Sequence, residues 1–159
     1  MKKIFFILAL YATENAFAQK VDFSGTYMMN KKETNLGPAP EWILPRYIKV
    51  EQQKKKTVIA RTGLSQQLVE QPPVADTLAF DGAAFLRKSA GYNAISTLKW
   101  DSDTSFVVVR KNVNDMNIVV GTITEGWTME NGKKTLVVNR SVEQANGMKY
   151  TTRAVFNRQ

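Results

Sequence analysis

The sequence predicts an all-β chain closed into a single up-and-down antiparallel barrel, and three observations carry that expectation. Apolar and polar side chains alternate with a period of two along most of the chain from residue 23 to residue 157, and helical periodicity is almost absent. Turn chemistry separates many of the alternating runs, at Asp81-Gly82, Asp101-Ser102-Asp103, residues 112–117, Asn131-Gly132 and Asn146-Gly147. No Pro/Gly/Ser-rich linker divides the chain, so residues 19–159 read as one domain with one core.

The elements follow in order. Residues 1–18 open with Lys2 and Lys3, continue through an apolar run over 4–12 and end at Ala16-Phe17-Ala18, the pattern of an export signal cleaved after Ala18. That run is shorter than the roughly 20 residues a membrane-spanning helix needs, so no membrane span is expected and the mature domain reads as soluble. With a dilysine start and no cysteine to carry a lipid, the expected address is the bacterial periplasm or the medium. Candidate strands are 23–30, 47–52, 57–62, 64–70, 76–81, 94–100, 105–111, 118–129, 134–143 and 148–157. About eight to ten strands joined mostly by short turns are too many for one flat sheet, and curling removes the exposed edges. A two-sheet sandwich is the other solution, but it needs more long connections than the chain offers.

One long connection does exist, residues 31–46, where Pro38, Pro40 and Pro45 oppose an extended helix. It is expected to cross one mouth of the barrel, with Trp42, Ile43 and Leu44 as its apolar contact, either plugging the core or gating it. The formal net charge is +8; residues 1–18 hold Lys2 and Lys3 against Glu14, so the mature domain carries +7. The basic residues are scattered apart from Lys54, Lys55 and Lys56, which read as a solvated turn rather than a nucleic-acid or membrane contact.

The opening strand contains Gly25-Thr26-Tyr27, a glycine followed two residues later by an aromatic. Further on stand Lys31-Lys32 after that strand, Trp127 before Asn131-Gly132-Lys133, a strand reading Leu136-Val137-Val138-Asn139-Arg140, and a closing Val155-Phe156-Asn157-Arg158. With these pieces the mature chain resembles, over nearly its whole length, small secreted bacterial lipocalin-like proteins. In the lipocalin superfamily the motif is Gly-x-Trp, and Tyr27 replaces that Trp here. The resemblance implies a barrel whose first-strand aromatic closes the floor against an arginine from near the chain's end, and a small apolar or amphipathic ligand inside.

The chain has neither His nor Cys. That excludes Ser-His-Asp and Cys-His nucleophilic sites, zinc sites built on N and S ligands, and disulfides. Carboxylates at Asp101, Asp103 and Asp115 fall in turns, where they serve the backbone, so no enzyme activity and no cofactor or metal is expected. A two-residue loop at Asn131-Gly132 would pair Glu130 with Lys133, Trp127 with Leu136, Glu125 with Val138 and Ile123 with Arg140. Ile123, Glu125, Trp127, Leu136, Val138 and Arg140 then share a largely apolar face that points inward, and Glu125 and Arg140 meet diagonally. Each is costly to bury alone, so they should pair or meet a polar ligand. Arg153 joins them if the loop at Asn146-Gly147 has two or four residues; a three-residue loop with a bulge turns Tyr150, Thr152, Ala154 and Phe156 inward instead. Tyr27, Met29, Trp100, Trp127 and Met129 either line a cavity for an apolar guest or fill the core. The rival to a carrier is a packed barrel that acts through its outer surface as an interaction or inhibitor module of the cell envelope.

Overall fold

The computed structural model describes residues 20–159, so the export signal and its cleavage point lie outside the described residues. Ten strands follow in order: β1 (Gly25–Met29), β2 (Tyr47–Gln52), β3 (Lys56–Thr62), β4 (Val74–Ala79), β5 (Phe85–Ser89), β6 (Tyr92–Trp100), β7 (Ser105–Val113), β8 (Val119–Glu130), β9 (Thr135–Gln144) and β10 (Lys149–Arg158). All belong to one antiparallel sheet in the order β4-β3-β2-β1-β10-β9-β8-β7-β6-β5. The first and last strands are therefore hydrogen-bonded neighbours. The edge strands β4 and β5 lie alongside each other without forming a ladder, which makes the barrel nearly closed. No helix among the described residues is long and apolar enough to cross a membrane.

Alternation predicts the inside of this barrel well. In most strands one phase is buried, as in Ile48 and Val50, Leu98 and Val108, or Trp127 and Met129, while the intervening residues stay partly or fully exposed; β5 has no buried residue, and Thr135 and Val137 of β9 and Val155 of β10 are buried in the other phase as well. Two strand assignments are corrected. Residues 64–70 form a turn, because the Ser65 hydroxyl oxygen accepts the amides of Gln67 and Val69 and so takes them from any ladder; only Leu64 and Glu70 bridge. Residues 85–89, Phe-Leu-Arg-Lys-Ser, form the strand β5 instead, with a charged residue in the inward phase that masks its alternation.

Both Asn-Gly loops are longer than the tightest hairpin. At the first, Glu130 pairs with Thr135 rather than Lys133, because Asn131, Gly132 and Lys133 all take positive φ and add two residues to the turn. The added length is even, so the expected face survives while the pairing shifts: Trp127 lies opposite Val138, and Glu125 directly opposite Arg140. At the second, Gly147 stands at φ +86° and the Gln144 amide donates to Met148, an odd loop with a bulge. This loop turns Thr152, Ala154 and Phe156 inward and places Arg153 outside, opposite Asn139.

Antiparallel pairing sorts the connections into two ends. The floor holds the start of β1, the Lys54 turn and the loops 80–84, 101–104 and 131–134. The mouth holds 30–46, 63–73, 90–91, 114–118 and 145–148. The long connection crosses the mouth as expected: a 3₁₀ turn, Glu41–Ile43, leads to Leu44, which is buried in the core, while Trp42 remains exposed.

Candidate functional site

At the floor, Gly25 explains itself. Its φ is +149°, and a Cβ there would stand 3.2 Å from Arg158 Nε and 3.4 Å from the Tyr27 ring. Glycine thus leaves the space through which the Arg158 guanidinium, 5.4 Å from the ring centroid, covers Tyr27 and donates to its hydroxyl at 2.8 Å. The Tyr27 hydroxyl in turn donates to the Phe23 carbonyl, and burial pushes its pKa up. Phe23, ahead of β1, packs against Phe106 with centroids 4.6 Å apart and against Trp100 at 5.9 Å; Phe106 stacks on Trp127 at 5.4 Å. This half of the interior is filled: Tyr27, Phe23, Phe106, Trp127 and Phe156 are all essentially inaccessible.

Above this packed floor lies an ionic cluster. Asp76 on β4, 1% exposed in its side chain, accepts from Arg61 Nη1 of β3 at 3.0 Å and from Arg110 Nη2 of β7 at 2.7 Å. Arg87 Nη1 of β5 stands 3.2 Å from its other oxygen. Arg61 bridges onward, donating from Nη2 to Glu125 Oε2 at 2.9 Å, and its guanidinium lies over Trp127 at 5.4 Å. The Trp127 indole N–H also donates to Glu125 Oε2, at 3.2 Å. Arg140 Nε approaches Glu125 only to 4.0 Å; its Nη1 donates to the Ile43 carbonyl of the strap across the mouth, at 2.9 Å. Burial opposes ionisation of Glu125, yet Arg61, Arg110, Arg140 and the indole N–H outweigh it, holding the carboxyl below the usual glutamate range.

The inward pair expected from sequence, Glu125 and Arg140, is present, but the close partner of Glu125 is Arg61. Arg61, Asp76 and Arg110 went unpredicted although each occupies the inward phase of its strand, in step with Ile59, Leu78 and Val108. The parity rule that singled out Glu125 reaches them equally. Of the other candidates, Tyr27, Met29 and Trp127 lie in the packed core, and Trp100 is half-buried at its edge, with Phe80 and the Lys20 ammonium against its ring. Arg153 projects outside and bridges Asn35 through its backbone.

Space is found elsewhere. A cleft of about 540 Å³ opens at the mouth beside the seam between β4 and β5, bounded by Trp42, Leu44, Val74 and Tyr92, with Arg61 and Arg87 in its wall. A groove of about 500 Å³ runs along the strap between Trp42 and Tyr150. A third, of about 430 Å³, lies on the outer face over Gly126. None of these clefts is lined by Tyr27, Met29, Trp127 or Met129.

Neither a protein-family model nor a curated protein matches the chain. The barrel, with its first-strand aromatic under an arginine of the last strand, is compatible with a lipocalin-like architecture. No group of three or more carboxylates suited to a metal occurs among the described residues.

Proposed function

We propose that the protein is an exported bacterial carrier or sensor, lipocalin-like and without enzyme activity, that binds a small amphipathic molecule at the mouth of its barrel. The observation that carries this reading is the mouth cleft of about 540 Å³, apolar along Trp42, Leu44 and Val74 and cationic along Arg61 and Arg87. Its volume suits a drug-sized guest. The packed floor moves the guest from the aromatic set around Trp127 toward the rim, where Glu125 and Arg140 lie beneath it rather than beside it. Thermal unfolding against a panel of lipids and hydrophobes tests this, because a ligand of the native state raises the midpoint by mass action, about 2.7 kcal/mol at a hundred times Kd. A panel without any shift overturns the reading.

A second reading, a surface interaction module of the cell envelope, is favoured by the exposure of Met116, Ile118, Leu68, Val69 and Met148 on the mouth loops. It expects capture of envelope protein that survives high salt, since an apolar contact is not screened.

A further inference from the structure

We propose that the mouth cleft is an oxyanion site in which Arg61 and Arg87 hold a carboxylate or phosphate group. The inference rests on the reading of the barrel as a ligand binder and names the chemistry of the guest. Four guanidiniums, Arg61, Arg87, Arg110 and Arg140, share the interior with two carboxylates, Asp76 and Glu125, leaving two positive charges over. Among the described residues no other carboxylate comes within 4.0 Å of any of the four. An excess of like charge away from water is unfavourable, and a counter-ion relieves it. The cost shows locally: burial first, then the neighbouring Arg61, depress the pKa of Arg110. Arg140 Nε is buried without a hydrogen-bond acceptor.

The excess reaches solvent at the mouth cleft, whose wall includes Arg61 and Arg87. Arg87 is the least committed of the four, with its side chain 24% exposed. Its one ionic neighbour, Asp76 Oδ1 at 3.2 Å, accepts no hydrogen bond, so Arg87 is tied to β4 by charge alone and its fork of donors keeps hydrogen-bonding capacity for a guest. A guanidinium fork matches two oxygens of a carboxylate or phosphate, and charge-assisted bonds of this kind are the strong ones. A dianionic phosphate monoester balances the surplus fully and a carboxylate halves it, which sets the expected order of affinity. Trp42, Leu44 and Val74 would take the apolar remainder of the guest.

Calorimetric titration at fixed ionic strength, with octyl phosphate, octanoate, octanol and inorganic phosphate, tests the site. The expected result is octyl phosphate tightest, octanoate next, and octanol weaker than octyl phosphate by at least about tenfold, the scale of one charge-assisted contact. Arg87→Gln removes most of that discrimination, and Arg87→Lys restores part of it; circular dichroism establishes that both variants are folded. Equal affinity for octanol and octyl phosphate overturns the oxyanion site but leaves the carrier reading standing. Failure of all four probes overturns both. Inorganic phosphate binding as tightly as octyl phosphate supports the anion site and places its source in a free ion, which removes the amphipathic tail from the proposal. Discrimination unchanged in Arg87→Gln overturns the assignment.

Discussion

Glu125 links one buried side chain to the acid limb of this barrel's stability. Its carboxyl ionises below the unfolded value of about 4.3, so its contribution is complete above that pH and is lost as pH falls toward the lowered folded value. Urea midpoints measured from pH 6 to pH 2 are therefore expected to fall below about pH 4.3, and Glu125→Gln to flatten that limb while lowering stability at neutral pH. An acid limb unchanged in the variant would assign it to another group. Gly25 makes a second residue-scale case. Its φ of +149° strains any L side chain, and a methyl group 3.2 Å from Arg158 Nε would push that guanidinium off Tyr27 by a few tenths of an ångström. Gly25→Ala is expected to cost about 1–3 kcal/mol, the range for a strained backbone position, read as a lower denaturation midpoint; a variant as stable as the parent would remove the glycine's role. The sequence pattern made Gly25, Tyr27 and a late arginine legible. It did not reveal which atoms of Arg158 fill the space.

Among the elements, β4 and β5 carry the weakest join. Their backbones do not pair, and the seam is held by side chains: Asp76 of β4 against Arg87 of β5, backed by Arg61 and Arg110. Truncating a buried ion that serves several partners leaves their charges uncompensated, a loss of about 3–5 kcal/mol. Asp76→Ala is accordingly expected to lower stability by that amount and to speed amide exchange first in β4 and β5, while β8 and β9, paired on both sides, keep their protection. Uniform loss of protection across all strands would mean that Asp76 supports the whole core and not the seam. This join was only half legible beforehand. Alternation located β3, β4 and β7 as strands without assigning their inward faces, and β5 was missed because Arg87 and Lys88 break the apolar rhythm of a five-residue strand. The even loop at Asn131 preserved the expected face despite its added length, whereas the odd loop at Gly147 reversed the phase that would have put Arg153 inside.

Taken whole, the molecule is polarised along its axis. Aromatic packing fills the floor, the ionic cluster occupies the next level, and exposed apolar side chains such as Trp42, Leu68, Met116 and Ile118 gather at the mouth. Composition predicted neither the levels nor their order, since it records how many arginines there are and not which strands bring them together. The position of the seam has one further consequence. Starting at β5 and reading around the wall, the strands run β5 to β10 and then β1 to β4, so the spatial order is the genetic order rotated by four. A circular permutant of residues 20–159 that joins Lys20 to Gln159 at the floor and opens the chain between Ala79 and Phe85 would be an uninterrupted meander. Its new ends would then belong to β5 and β4, the two described strands that no backbone ladder joins to each other.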